Sequence, residues 1–144
     1  MINYQKVLNK NLLNVLKDIL KYIQLNGVPG NNELYITFFT NHKDNKLSNW
    51  IKEKYPEKMT IVIQYEYYDI KINENDFDIT LSFNNIKTKL KISFDAIISF
   101  ADPSANFGLV LKEIKIENKI IKKQKKAVKL DRNNVIHFSK YKKK

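Results

Sequence analysis

A mostly β, α+β fold is expected: a small antiparallel β-barrel-like body behind one long N-terminal helix, with a flexible C-terminal tail. Three observations carry that expectation. Residues 4–25 hold apolar side chains at helical spacing. Several later segments alternate apolar and polar residues with period two, and Asn, Asp, Gly and Pro stand at the joins. The chain has 144 residues, of which 43% are hydrophobic and 12% aromatic. That suffices for one packed domain and an extension.

The stretch "YQKVLNKNLLNVLKDILKYIQLNG" reads as the helix. Leu8, Leu12, Val15, Ile19 and Tyr22 form one stripe, and Leu13, Leu16, Leu20 and Ile23 form a second beside it. Gly27 fits the C′ position, with Pro29 just beyond. A helix that caps one sheet needs about one stripe, so the second stripe is free either to sink into the same body or to meet another copy.

"LYITFFT" is an aromatic and β-branched strand, and "GVPGNNE" before it is a turn segment. Leu47, Trp50 and Ile51 mark a short helix that stops at Lys54, because Pro56 follows. "MTIVIQYEYYDIKI" (59–72) is the longest strand signal. One face carries Met59, Ile61, Ile63, Tyr65 and Tyr67, and the other Thr60, Val62, Gln64, Glu66 and Tyr68. "NEND" turns the chain. Phe77, Ile79, Leu81 and Phe83 point inward from the next strand, and Asn84–Asn85 make a two-residue hairpin, since Asn tolerates positive φ. Leu90, Ile92 and Phe94 point inward on the return. A turn at Asp102–Pro103 precedes a last strand through Leu111. Five or six antiparallel strands result, in a small barrel or two packed sheets, over residues 34–116.

Net charge is +11, but it is unevenly placed. Residues 1–117 hold 15 Lys against 14 acids, whereas 118–144 hold 10 Lys and Arg132 against Asp131 alone. A near-neutral body therefore carries a basic tail, and 118–134 read as a flexible linker because no period is sustained there. Arg132 is the one arginine, which argues against base-reading surfaces that lean on Arg. An RNA-binding β-barrel with a basic arm remains the alternative function. There is no Cys, so disulfides and Cys-based zinc sites are excluded. No run approaches a membrane span, and the start lacks a signal-peptide layout, so a cytoplasmic location is expected.

Catalytic residues, metal ligands and cofactors are not expected. The two histidines, His42 and His137, are far apart, and neither has ligand spacing to the other. Three glycines leave no phosphate loop or nucleophile elbow. Asp69, Glu74, Asp76 and Asp78 cluster at a hairpin without the cation-loop pattern. What remains is binding: Gln64, Glu66 and Tyr68 offer hydrogen-bonding groups and an aromatic on one strand face, and "SFADPSANF" could wall an extended peptide laid there.

"LYITFFT", "KYPEKMTIVIQYEYYDI" and "ISFADPSANFGL" together resemble SspB, the adaptor family of the ClpXP protease, and more closely its alphaproteobacterial branch. The resemblance runs from the N-terminal helix to about Leu111. It implies a small β-barrel-like body and a symmetric homodimer made through the helix, with Leu8, Leu12, Val15 and Ile19 at the interface. It implies a groove for the ssrA tag near Gln64, Glu66, Tyr68, Phe100, Ala101 and Phe107, over a tag-binding and dimerisation domain at 1–117. Relatives carry Gln where this chain has Glu66, and ionised Glu only accepts hydrogen bonds, so a donor or basic tag residue is favoured here. The family tail ends in a short apolar-plus-basic motif that docks on the ClpX unfoldase. "NVIHFSKYKKK" is similar, and Val135, Ile136 and Phe138, within 135–144, would make the apolar contacts. The linker departs from the family pattern, being short and basic where relatives of that branch tend to have longer acidic ones.

Overall fold

The computed structural model describes residues 1–112; the expected linker and docking tail lie outside them. Helix α1 spans Tyr4–Asn26. It starts where the Asn3 side chain accepts from the Lys6 N–H at 3.0 Å, and stops at Gly27, whose φ of 77° lies in the left-handed region. Leu16, Leu20 and Ile23 are buried, so the second predicted stripe is the one that enters the core. Of the first stripe, Leu8, Val15 and Tyr22 stay 45%, 40% and 52% exposed, while Leu12 and Ile19 are half-buried.

Among the described residues seven antiparallel strands form two sheets. Strands β1 (Leu34–Phe39), β2 (Lys58–Ile63), β6 (Ile97–Asp102) and β7 (Phe107–Val110) make a four-stranded sheet in the order β2-β1-β6-β7. Strands β3 (Tyr67–Ile72), β4 (Asp76–Phe83) and β5 (Ile86–Ser93) make a three-stranded meander. A short helix α2, Asn49–Lys54, follows β1 and ends as Pro56 requires. The inward residues of both sheets, Ile36, Phe38, Ile61, Ile63, Phe77, Ile79, Leu90, Ile92 and Phe100 among them, share one core with α1. Among the described residues no closed barrel forms. The body is two packed sheets, the other arrangement the alternation allowed.

The expected single strand over 59–72 is corrected: it is broken. Met59, Ile61 and Ile63 are buried as alternation requires, but the chain bends at Gln64–Glu66, leaves the four-stranded sheet and enters the three-stranded one. Tyr65 is therefore 78% exposed instead of inward. Tyr67 resumes the inward parity, and its hydroxyl accepts from the Val28 N–H at 3.0 Å. Asp69, with φ of 53°, then makes a bulge that keeps Ile70 and Ile72 inward. The bend escapes sequence reading because no Gly or Pro marks it and the apolar parity is the same on both sides.

The β4–β5 hairpin turns as expected, with Asn84 and Asn85 at φ of 51° and 67°, the pair of positive values a type I′ turn needs. Asp78 faces outward across from Lys91, yet is only 7% exposed. Its Oδ1 lies 3.1 Å from Lys91 Nζ, and Asn73 Nδ2 donates to Oδ2 at 3.2 Å. Burial opposes ionisation of this carboxyl, but the hydrogen bonds from Lys91 and Asn73 and the charges of Lys91 and Lys89 outweigh it, holding it below the ordinary 3.8. A depressed carboxyl contributes stability above its unfolded pKa and loses it as pH falls through the folded value. Asp78→Asn is therefore expected to cost about 1–3 kcal/mol near neutral pH. The difference from the parent should shrink below pH 4 in urea denaturation.

Candidate peptide-binding end

Three segments distant in sequence meet at one end of the four-stranded sheet. They are the loop 27–33 between α1 and β1, the crossover 64–66, and the turn 103–106 between β6 and β7. Register sets their order: Ile63 pairs with Leu34, Tyr35 with Ala101, and Asp102 with Phe107. Gln64 and Glu33 thus each stand one residue beyond the last pair of β1 and β2.

Asp102 ties two of these segments together. Its side chain accepts from the Ser104 N–H at 3.0 Å and the Ala105 N–H at 3.3 Å, which makes the Asp-Pro-Ser-Ala turn. Asn32 Nδ2 reaches its other oxygen at 2.6 Å. Burial would raise the Asp102 pKa, but these bonds, with those from the Ser104 side chain and the Glu33 backbone, hold it below the ordinary carboxylate value. The carboxylate is therefore charged near neutral pH and already committed to holding the loops. Asn106, with φ of 53°, ends the turn and delivers Phe107 to β7.

The residues expected to face a peptide are distributed as follows. Gln64, half-buried, and Glu66, exposed, lie in the crossover and not on a strand face. Tyr68 lies on the outer face of the three-stranded sheet, beneath Lys87 Nζ at 4.2 Å from its ring centroid. Gln64, Glu66 and Tyr68 therefore do not form the single strand face that alternation implied, because the bend and the change of sheet separate them. Phe100 is 0% exposed and packs inward, its ring 6.2 Å from that of half-buried Phe107. Ala101 points to the opposite face and is buried. Gln64, Ala101 and Phe107 belong to the same end of the sheet, with Phe100 supporting them from within the core.

Sequence reading missed Asn32, Asp102 and Tyr67 as the groups that fix this end. Their partners stand 70 and 39 residues away in the chain, and only the Asp-Pro step carried a local signal. His42 lies at the far end of β1, in an open cleft of about 220 Å³ lined by Thr40, Asn45, Lys52 and Pro56 among others. Its Nδ1 accepts from the Asp44 N–H at 3.1 Å. Among the described residues no group of three or more His, Cys, Asp or Glu is placed to hold a metal ion, and no helix is long and apolar enough to cross a membrane.

The family model of SspB, stringent starvation protein B, matches residues 7–143. The chain belongs to the SspB family. That match takes in α1, both sheets and the sequence beyond Lys112, including the apolar group Val135, Ile136 and Phe138. Among curated proteins none matches the chain. Asn32, Gln64, Asp102 and Phe107 stand together at this one end of the four-stranded sheet. That end carries the exposed Glu66 carboxylate and the half-buried ring of Phe107, backed by Phe100.

Proposed function

We propose that this chain is a proteolytic adaptor that binds ssrA-tagged proteins at the end described above and tethers them to the ClpXP protease, without chemistry of its own. The observation that carries this reading is the SspB match, because it runs through the basic tail as well as the body. An enzyme or a plain binding domain has no need of an apolar group inside a lysine-rich tail. In this reading residues 1–117 bind the tag, 118–134 are a flexible linker and 135–144 dock on ClpX, all in the cytoplasm. A seventeen-residue linker spans roughly 20–25 Å r.m.s. and gives an effective concentration on the order of millimolar. Weak docking and moderate tag binding then combine into tight joint binding.

The direct test is binding of a fluorescent ssrA peptide to the full chain, followed by anisotropy. Saturable binding is expected, and Glu66→Gln should change affinity several-fold in a way that depends on the tag residue it meets, since only Gln can donate. Absence of saturable binding would sink the adaptor reading.

The exposed stripe of α1 supports homodimerisation. Leu8, Val15 and Tyr22 leave apolar area in water beside half-buried Leu12 and Ile19, and a second helix laid along them would cover it. Val15→Asp is expected to convert a dimer into a monomer with the fold intact, read by light scattering and circular dichroism. A parent chain that is monomeric at micromolar concentration contradicts the dimer.

One observation favours RNA binding as the second reading. Lys71, Lys87 and Lys89 share the outer face of the three-stranded sheet with Tyr68. RNA affinity that falls steeply with salt and survives loss of Phe138 would support it.

A further inference from the structure

The two outer sheet faces differ in charge. On the three-stranded sheet the outward set includes Lys71, Lys87, Lys89 and Lys91. On the four-stranded sheet the register puts Tyr35, Thr37, Thr60, Val62, Ser99 and Val110 on the face turned from the core. Thr60 is exposed, Val62 is 40% exposed, and the other four are half-buried. The one charged residue the register places on that face is Lys58, at its far end across from Phe39. In a body with 15 Lys over residues 1–117, a partly exposed face with one lysine calls for a reason. Near the opposite end of the face stand Glu33, Glu66 and Asp102. The stretches that build that end, 22–42, 59–70 and 92–111, contain no Lys or Arg at all.

We propose that this face receives the chain's own C-terminal segment, Asn134–Lys144, when no other partner holds it. Charge selects this occupant: residues 118–144 carry 11 cations against one acid, and a lysine on the face would repel them. Chemistry selects it as well, because Val135, Ile136 and Phe138 match the apolar Val62, Tyr35 and Val110 between threonines and a serine. Origin selects it too. The last described strand, β7, belongs to this same sheet, and the Leu111 N–H donates to the Ile98 carbonyl at 2.7 Å, so the chain leaves from the edge of this face. The residues between Lys112 and Asn134 span up to about 70 Å when extended, several times the roughly 14 Å width of four strands. Taken with the adaptor reading, on which this consequence rests, the same apolar group serves two places that exclude each other. An unfoldase must draw the tail off the sheet before it is tethered.

The absence of Cys allows a single nitroxide at Ser139→Cys in the full chain. In the ¹⁵N-labelled protein, the amide signals of Thr37, Thr60, Val62 and Ser99 are expected to lose most of their intensity relative to the reduced label. Those of Lys87 and Lys89 should keep theirs. The lost intensity should return in about 1 M salt, where the screening length is about 3 Å, and in Thr60→Lys, an exposed change that the fold tolerates. Equal broadening of both sheets, or none on the four-stranded sheet, overturns the proposal. So does equally strong broadening when nitroxide-free ¹⁵N chain is mixed with nitroxide-bearing ¹⁴N chain, which assigns the face to another copy's tail. Neither tag nor unfoldase is present, so failure here leaves the ssrA-peptide result standing.

Discussion

Removing residues 118–144 is expected to abolish the enhancement of ClpXP degradation of an ssrA-tagged reporter, while the truncated chain binds the tag at least as tightly as the full one. Delivery in a tethering mechanism comes from effective concentration, on the order of millimolar for a short flexible linker. Without the tail that gain falls to nothing. Phe138→Ala tests the same step with one side chain. Burial of a Phe contributes about 1.5–3 kcal/mol, so its loss weakens docking about 10–100-fold. Val135→Asp is expected to act in the same direction, by setting a charge inside an apolar contact. Degradation rates of a tagged fluorescent reporter, with and without each variant, check the series. Full enhancement by the truncated chain would refute tethering through the tail.

Phe100→Ala is expected to be among the most damaging single changes in the body. Phe100 has no exposed surface, sits across from Ile36 and Leu109, and backs the ring of Phe107. Truncating a buried Phe to Ala costs about 3–5 kcal/mol, a large share of the 5–15 kcal/mol typical of a domain. A lowered urea midpoint with partial unfolding at 37 °C should follow. Phe100→Leu separates support from contact. It should lose about 1–2 kcal/mol while tag affinity stays near that of the parent, since the side chain has no exposed surface and packs behind Phe107. Loss of tag binding by a stable Phe100→Leu protein would place Phe100 against the peptide instead.

The elements that local chemistry decides were legible in the sequence. The stop of α1 at Gly27, the end of α2 before Pro56 and the Asn84–Asn85 turn each depend on one or two residues whose backbone preferences are strong. The inward sets of β4 and β5 follow from alternation alone. What was not legible depends on partners far away in the chain. The break at Gln64–Glu66 is made by a change of sheet, and neither propensity nor parity registers that. In the same way, Phe100 and Ala101 are neighbours in a run of apolar residues. Which of them faces the core is fixed by pairing with Tyr35 and Ile36, some 65 residues earlier. The strand face and wall expected from sequence are, in the fold, a crossover and one end of a sheet pinned by Asn32, Asp102 and Tyr67.

The two sheets also differ in how far their strands must travel to meet. The three-stranded sheet is built from neighbours over residues 67–93, joined by two hairpins. In the four-stranded sheet β6 and β7 form a local hairpin, but β1 must wait for β6, since Tyr35 pairs with Ala101. Local pairings close quickly and distant ones slowly, so the meander is the early-forming unit and the sheet that bears the candidate site the late one. During synthesis the candidate end stays incomplete until residue 110 has left the ribosome, because Phe107 and its pairing with Asp102 come last.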